Sequence, residues 1–226
     1  MKLITFCLWG DDPKYSVGAL RNAELAPTIY PGWECRFYVA NCAPPETIKE
    51  LNKMPGVQVV EKKEEGNWSS MFWRFEAAGE EDVEVMISRD TDSRLNLREK
   101  AAVDEWMDSD KGFHAMRDHP WHGYPVLGGM WGAKKGTLPQ MKEMINDFSG
   151  QDKYGTDYDF FAQVVAPLIK DNVMIHDEFF QGSRFPIERT SYEFVGQVFD
   201  EHEKTIESHV EILKKHLDDK RPMPSS

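Results

Sequence analysis

The chain has 226 residues, 40% of them hydrophobic and 12% aromatic, which is enough for one domain with a sizeable core. Its formal net charge of −12 argues against binding to DNA, RNA or anionic membranes through a basic patch. No apolar run is long enough for a transmembrane helix, and the three cysteines lack metal-ligand spacing. Together these features favour a reduced, cytoplasmic protein over a secreted disulfide scaffold.

The first half of the chain alternates short apolar runs with helical patterns. We predict strands at residues 2–9, 33–40, 57–60 and 83–88, and helices at 14–30, from Pro44 to about Met54, and at 68–78. We interpret the first run as a strand, not a signal peptide, because Gly10 and Asp11 follow it without a small-residue cleavage site. The alternation predicts right-handed βαβ units and a mostly parallel sheet.

The second half is less regular. A capping-box-like start at Asn96 and Glu99 predicts a helix to about Asp108, with further helices at 137–148 and 156–170. Strands are predicted near 113–117 and 173–176. Apolar residues recur at helical spacing in the tail and predict a terminal helix: Ile206, Val210, Leu213 and Leu217. Residues 221–226 are expected to be disordered, and no linker clearly divides two domains.

Two aspartates follow the fourth predicted strand directly. Asp90 and Asp92 are two residues apart, so in extended chain both carboxylates point to the same side. Carboxylate oxygens suit Mg²⁺ or Mn²⁺, ions that commonly bridge to substrate phosphates. Two other Asp-x-Asp patterns occur in a turn and inside a helix start, at Asp108/Asp110 and Asp157/Asp159. Because Asp90/Asp92 alone closes an apolar strand, it predicts a metal–diphosphate site.

Three arginines lie near this motif in sequence or on a neighbouring element. Arg89 and Arg94 flank the aspartates, either to balance their charge or to contact a diphosphate with the planar guanidinium. Arg74 lies on an otherwise apolar helix, which indicates a buried role, either structural or facing a nucleotide.

Three further segments have a structural and a functional interpretation. His176 ends a short strand and is either a packed residue or a nitrogen ligand for the metal. The loop from Asp118 to His122 is either an irregular connection or a platform for an acceptor sugar. Gly128 and Gly129 either make a turn or let the backbone approach a ligand closely.

The ordered set of motifs resembles glycosyltransferases of the GT-A fold, and is similar to small members encoded by large algal viruses. It comprises Gly10-Asp11-Asp12, Arg74, Asp90-Thr91-Asp92, Gly128-Gly129-Met130-Trp131-Gly132, Tyr154-Gly155-Thr156-Asp157 and Ile175-His176-Asp177. The resemblance covers about residues 1–180. It implies a single GT-A-like α/β domain at 1–195, with helices on both faces of a mostly parallel sheet. A nucleotide-binding half would span about 1–95, an acceptor-binding half 96–195, and a terminal helix with a disordered tail 196–226.

The same resemblance implies roles for individual residues. Asp90 and Asp92 would hold Mn²⁺ or Mg²⁺ on the diphosphate of a nucleotide-sugar donor, and His176 would complete that metal site. Asp11 would lie near the base and ribose. Arg74, Arg89 and Arg94 would be on the donor side, and Gly128 and Gly129 would lie where donor sugar and acceptor meet. Asp157 is the nearest match to the base that deprotonates the acceptor, with Asp118 next and Asp159 also considered.

The implied activity is transfer of a hexose or deoxyhexose from a nucleoside-diphosphate sugar to a hydroxyl of a glycan or another acceptor. Among donors, the UDP type is favoured. Three alternatives share some of the motifs. An Asp-x-Asp phosphatase usually carries its motif after the first strand, whereas here it follows the fourth. A nucleotidyltransferase acting on sugar phosphates uses the same metal–phosphate chemistry. A non-catalytic nucleotide-sugar-binding module would keep the fold without turnover.

Overall fold

The computed structural model describes residues 1–148 and 152–219. The strands are β1 (Lys2–Leu8), β2 (Glu34–Val39), β3 (Val57–Glu61), β4 (Val85–Ser88), β5 (Phe113–Arg117), β6 (Trp131–Lys134) and β7 (Val173–Asp177). The α-helices are α1 (Pro13–Ile29), α2 (Pro45–Leu51), α3 (Leu97–Asp108), α4 (Met141–Asp147), α5 (Thr156–Phe160), α6 (Ala166–Ile169) and α7 (Glu207–Asp219). A 3₁₀ helix spans Trp68–Gly79, and a π-helical turn, Phe161–Val165, joins α5 to α6.

The strands form one mixed sheet. Across the described residues its order is β3-β2-β1-β4-β6-β5-β7. β3, β2, β1 and β4 run parallel, β6 is antiparallel to both of its neighbours, and β5 pairs with β7 in parallel. The predicted α/β fold with a mostly parallel sheet is therefore confirmed.

Helices cover both faces of the sheet, as predicted. Ile4 packs with Ala19 of α1 and Trp106 of α3, while the adjacent Leu3 packs with Phe75 of the 3₁₀ helix on the other face. This alternation follows from the two-residue period of a strand, which sends successive side chains to opposite faces. Because both faces of the sheet are buried, the sequences of its strands are nearly continuous apolar runs.

Strand β6 was not predicted, and its position matters for the site. The sequence interpretation treated the segment at 128–132 as a glycine-rich loop, and glycine and lysine have low strand propensity. In the structure Trp131 is fully buried, and Trp131–Lys134 pairs on both edges. Tertiary packing around the Trp131 indole therefore overrides local propensity, and β6 separates β4 from β5.

The predicted helices are present with altered limits. The segment at 68–78 is 3₁₀ instead of α, and the helix predicted at 137–148 begins at Met141. The helix predicted at 156–170 is broken into α5, the π-helical turn and α6, where Pro167 cannot donate a backbone hydrogen bond.

The C-terminal segment packs onto the site edge of the domain. The predicted terminal helix is present as α7. Ahead of it, the amide of Phe199 donates to the carbonyl of Asp92 at 2.8 Å, and Glu203 pairs with Arg94 at 2.6 Å. The disorder predicted for 221–226 lies outside the described residues. Within 1–148 and 152–219, no helix has the length and apolarity to cross a membrane.

Candidate active site

A pocket of about 470 Å³ lies at the carboxyl ends of β1 and β4. Trp9 directly follows β1, and Asp90 and Asp92 lie in the turn that follows β4; all three line the pocket. In open α/β sheets, ligands bind beyond the carboxyl ends of the parallel strands. The parallel half of the sheet therefore places the Asp-x-Asp motif where a ligand would be expected.

The turn that carries the two aspartates is held by backbone contacts. The Ser93 amide and hydroxyl both donate to the carbonyl of Asp90, at 3.2 and 2.9 Å. Asn22 of α1 donates from its side-chain amide to the carbonyls of Thr91 and Ser93, at 3.3 and 2.8 Å. Because these bonds use backbone carbonyls, they orient the turn without engaging either carboxylate.

The carboxylate of Asp92 lies close to a second negative charge, that of Asp90. Its burial, and next the charge of Asp90, raise its pKa to about 6. Among the described residues, no Lys, Arg or His side chain forms an ion pair with it. A divalent cation between Asp90 and Asp92 would relieve this repulsion, so the pair fits a metal site by charge and by ligand type.

The side chain of Arg74 links the motif to the rest of the pocket. Its Nη1 donates to Oδ1 of Asp90 at 2.5 Å and to the carbonyl of Arg89 at 2.8 Å. Arg74 is buried, and its pKa is raised chiefly by Asp90, with a contribution from Asp157, against the opposing effect of burial. The guanidinium thus holds one oxygen of Asp90 and leaves the other to a ligand.

The glycine pair packs directly against two of these carboxylates. A Cβ at Gly129 would lie 2.0 Å from Oδ2 of Asp90, and one at Gly128 would lie 2.3 Å from Oδ2 of Asp157. No other residue type fits at either position without moving a carboxylate. The structure therefore brings together Arg74, Asp90, Asp92, Gly128, Gly129 and Asp157, six of the residues singled out from the sequence.

Asp157 adds a third buried carboxyl group to the pocket. It lies in the first turn of α5, is 6% exposed and lines the pocket. Burial raises the pKa of its carboxyl group, opposed by Arg74. A carboxylate with a raised pKa is a better general base near neutral pH than an ordinary aspartate.

The protein supplies only part of a metal coordination shell. In the ranges that the structure covers, no cluster of three or more His, Cys, Asp or Glu side chains converges as a metal site would require. Mg²⁺ is commonly held by one or two carboxylates, with phosphate oxygens and water completing the shell. Asp90 and Asp92 fit that arrangement, which needs a phosphate ligand and no further protein ligand.

The structure contradicts the placement of His176 in the metal site. Its Nε2 faces Glu105 at 3.0 Å and its Nδ1 faces Nε2 of His114 at 2.8 Å. It lies on β7, three strand spacings of about 4.8 Å each from β4. Because β6 and β5 intervene, the imidazole is too far to share a ligand with Asp90 and Asp92.

The predicted diphosphate contacts of Arg89 and Arg94 are also wrong. Arg89 is 1% exposed and forms a buried ion pair with Glu99 at 3.0 Å. Arg94 pairs with Glu203 and stacks over Phe199 with its guanidinium carbon 4.9 Å from the ring centroid. Neither side chain lines the pocket; Arg89 supports the core and Arg94 attaches the C-terminal segment.

Asp118 and Asp11 do not reach the pocket either. The carboxylate of Asp118 is fully buried and accepts hydrogen bonds from Arg98 at 2.9 and 3.0 Å and from Arg189 at 2.5 Å. It also accepts the amide of Val195 at 2.9 Å. A carboxylate saturated in this way is a structural anchor, not a catalytic base. Asp11 is exposed beyond β1 and outside the pocket lining.

Sequence reasoning missed Trp9 and Trp68 as pocket residues and named Tyr154 only as part of the motif that ends at Asp157. Trp9 meets Trp68 edge to face at 5.5 Å between ring centroids, and Trp68 meets Tyr154 at 5.3 Å. Tyr154 and Trp68 are among the exposed large apolar residues. Such aromatics can contact a base or sugar through their faces. No local pattern distinguished them from core aromatics, since they come from three separate segments.

Comparison with solved structures finds the same fold in glycosyltransferases. A glycosyltransferase involved in glycosylation of the major capsid of PBCV-1 matches with a TM-score of 0.53 at 16% identity, over 78% of this chain and 81% of that one. A mannosyltransferase from Pyrobaculum calidifontis, solved with GDP-Man and Mn²⁺, matches at 0.52 and 13% identity, over 77% of this chain. The matched part spans 56% of that longer enzyme.

A third structure is glucosyl-3-phosphoglycerate synthase from Mycobacterium tuberculosis in complex with Mn²⁺, UDP and phosphoglyceric acid. It matches with a TM-score of 0.51 at 10% identity, over 78% of this chain and 68% of that one. No protein-family model and no curated protein matches the sequence. At these identities the likeness establishes the fold alone, which is that of GT-A-type glycosyltransferases.

Proposed function

We propose that the chain is a metal-dependent glycosyltransferase, which moves a sugar from a nucleoside-diphosphate sugar to a hydroxyl acceptor. One observation carries the proposal: the carboxylates of Asp90 and Asp92 share a pocket with Asp157 at the carboxyl ends of parallel strands. The solved structures with this fold include complexes with Mn²⁺ or Mg²⁺ and with UDP or a GDP sugar. We expect the donor to be of the UDP type and the acceptor to be a glycan. The transferred group would be a hexosyl or deoxyhexosyl group.

The donor half of the pocket suits a nucleoside diphosphate. Asp90 and Asp92 would hold the cation, and a bound Mn²⁺ or Mg²⁺ would neutralise charge on the departing diphosphate. Arg74 keeps Asp90 oriented through its 2.5 Å hydrogen bond. Trp9 and Trp68 border the same pocket and offer flat surfaces for the nucleoside.

The chemical step needs one base from the protein. The acceptor hydroxyl oxygen forms a bond to the anomeric carbon while the bond from that carbon to the diphosphate oxygen breaks. The nucleoside diphosphate leaves with the electron pair, and the carboxylate of Asp157 takes the hydroxyl proton. Gly128 packs against Asp157 Oδ2, and the absence of a side chain at this glycine lets the carboxylate take its position in the pocket.

A nucleotidyltransferase acting on sugar phosphates is the nearest alternative, because it uses the same metal and phosphate contacts. Incubation with UDP- and GDP-sugars, Mn²⁺ and a glycan mixture tests the proposal. A glycosyltransferase releases free nucleoside diphosphate. Release of pyrophosphate from a nucleoside triphosphate and a sugar phosphate would identify the alternative, and absence of any metal-dependent turnover would indicate a binding module.

We place this activity in the cytoplasm. Cys7 and Cys35 are buried free thiols, and Cys42 is an exposed free thiol. Unpaired cysteines suit a reducing compartment, where disulfides do not persist.

A further inference from the structure

One side of the pocket is a cluster of rings built from two distant parts of the chain. The aromatic wall, as we call it, consists of His119, Trp121, His122, Phe194 and His209, all of which line the pocket. Their ring centroids lie 4.5 to 5.9 Å apart in the pairs His119–Phe194, Trp121–His209, His119–His122, His119–Trp121 and His122–Phe194. The wall thus joins the loop after β5 to the C-terminal segment.

Asp118 holds the two parts of the wall together. Its carboxylate accepts the Val195 amide, next to Phe194, and its own amide donates to Nδ1 of His122 at 3.0 Å. His119 adds a second link, because its Nε2 faces the carbonyl of His209 at 3.0 Å. The wall is therefore preorganised by buried and partly buried hydrogen bonds and is not a chance contact of surface rings.

These hydrogen bonds fix which imidazole nitrogens carry protons. Nδ1 of His119 accepts the Trp121 amide at 3.1 Å, so its Nε2 carries the hydrogen that reaches the His209 carbonyl. Nδ1 of His122 accepts the Asp118 amide, so its Nε2 also carries hydrogen. Within the described part of the chain, that Nε2–H has no hydrogen-bond partner. His122, which lines the pocket, therefore has one N–H donor available for a ligand and cannot act as a base.

The wall is electrically neutral. Burial lowers the pKa of His119 and His209, and it lowers the pKa of His122 to about 3, with help from His119. The charged side chains that line the pocket are Arg74, Asp90, Asp92 and Asp157, one cation against three carboxylates. Because Arg74 is bound to Asp90, no free cation in this lining can receive an anionic acceptor.

Trp121, which precedes His122 in the chain and lines the same pocket, leaves most of its surface open. The side chain is 59% exposed although its ring contacts both His119 and His209. An exposed indole at a pocket mouth offers a flat apolar face, and the nearby imidazole N–H offers a directional contact for a hydroxyl. Pyranose rings carry both features: C–H groups on one face and hydroxyls around the rim.

We propose that the aromatic wall is the acceptor subsite, and that it selects an uncharged pyranose that stacks on Trp121 and accepts a hydrogen bond from Nε2 of His122. This proposal rests on the proposed function and specifies the class of its acceptor. Sugars that carry a carboxylate or phosphate next to the stacking face are rejected, since the pocket offers them carboxylates and no free cation.

Ligand-observed saturation-transfer NMR with the full chain, UDP and Mn²⁺ tests the proposal. The probes are methyl glycosides of glucose, mannose, galactose and fucose, together with methyl glucuronide and methyl galacturonide as charged counterparts. We expect at least one neutral glycoside to bind about tenfold more tightly than the uronides, a difference of ~1.4 kcal/mol. Trp121→Ala weakens that binding by about the same factor, whereas Trp121→Phe, which keeps a flat face, restores most of it.

Two variants make the result specific. His209→Ala removes a ring that contacts Trp121 and is expected to weaken neutral-glycoside binding. Phe180→Ala removes a partly exposed ring outside the pocket lining and serves as the matched control, with binding unchanged. Uronides that bind as tightly as neutral glycosides, no binding by any neutral glycoside, or indifference to Trp121→Ala would each overturn the acceptor assignment. Failure of UDP and Mn²⁺ themselves to bind would instead refute the proposed function.

Discussion

The backbone of Gly129 lies against the carboxylate of Asp90, so closely that a Cβ at this glycine would come within 2.0 Å of Oδ2. Gly129→Ala must therefore displace Asp90 or the glycine loop. We expect the variant to fold and to lose most of its affinity for UDP with Mn²⁺, measured by calorimetry. Gly123→Ala is the control, since a Cβ there meets nothing within 4 Å. Unchanged affinity in Gly129→Ala would show that Asp90 does not hold the donor.

Asp157 and Asp159 offer a matched test of the proposed base. Both lie in the first turn of α5, but Asp157 is buried in the pocket whereas Asp159 is partly exposed and pairs with Lys153. Asp157→Asn should lower kcat for transfer by about 10²–10⁴-fold, the range for loss of a general base. Asp159→Asn should leave kcat within about twofold, as an exposed ion pair contributes little.

The pH dependence of transfer gives a second readout for the same residue. Burial raises the pKa of Asp157, so its carboxylate is protonated at a higher pH than an ordinary aspartate. The rate should fall as the pH is lowered through that raised pKa, because the protonated group cannot accept the hydroxyl proton. A rate that stays flat from neutral pH down to the ordinary aspartate range would argue against Asp157 as the base.

The buried Arg89–Glu99 pair predicts a large effect on stability. Arg89 also donates to the carbonyls of Ser88 and Trp131, and Tyr30 donates to Glu99 at 2.9 Å. Arg89→Met would leave Glu99 charged and buried, a change that typically costs about 3–5 kcal/mol of unfolding free energy. Denaturant unfolding measures it. Arg21→Met, in the exposed pair with Glu24, should change stability by less than about 1 kcal/mol.

The pair His114–His176, which lies away from the pocket, predicts that the folded chain loses stability at acid pH. Full burial, and next the neighbouring His176 and Arg89, lower the pKa of His114 well below its usual value. The folded chain therefore leaves His114 neutral, while the unfolded chain protonates it below about pH 6.5. Stability is fully present above that pH and falls as the pH is lowered, by up to ~1.4 kcal/mol per pH unit for each such histidine.

The variant His114→Gln should flatten this slope, while His202→Gln, at a side chain that is 70% exposed, should not. Urea unfolding at several pH values between neutrality and about pH 5 provides the comparison. An identical slope in wild type and His114→Gln would show that another group takes up the proton.

The pattern of strands and helices in the sequence was enough to predict where Asp90 and Asp92 lie. Strand alternation and βαβ connections fix which edge a motif reaches, so the position of a motif after a buried strand places it beyond the sheet. The sequence also indicated that His176 ends a strand, but it could not give the position of that strand within the sheet. Strand β6, hidden in a glycine-rich segment, separates β4 from β5 and β7 and moves His176 away from the aspartates.

The loop from Asp118 to His122 was singled out from the sequence as a possible acceptor platform, but the two wall residues from the C-terminal segment could not be predicted, for a related reason. His209 and Phe194 reach the pocket because the C-terminal segment packs against the site. Two hydrogen bonds hold it there, from the amide of Phe199 to Asp92 and from the amide of Val195 to Asp118. These contacts join residues 77 or more positions apart, and no periodicity in the sequence encodes them. Asp118 was a candidate base through the resemblance to GT-A glycosyltransferases; its burial by Arg98 and Arg189 explains why it has another role.

The central claim is that Asp90 and Asp92 bind a nucleoside diphosphate through a divalent cation. The most direct test is calorimetric titration of the protein with UDP and, in parallel, with GDP. Each titration is done in the presence of Mn²⁺ and then with excess EDTA. We expect binding of one of the two only with Mn²⁺, a loss of about a hundredfold (~2.8 kcal/mol) in Asp92→Asn, and no change in Asp110→Asn from the exposed Asp-x-Asp pattern. Equal affinity without the metal, or full affinity in Asp92→Asn, would contradict the claim.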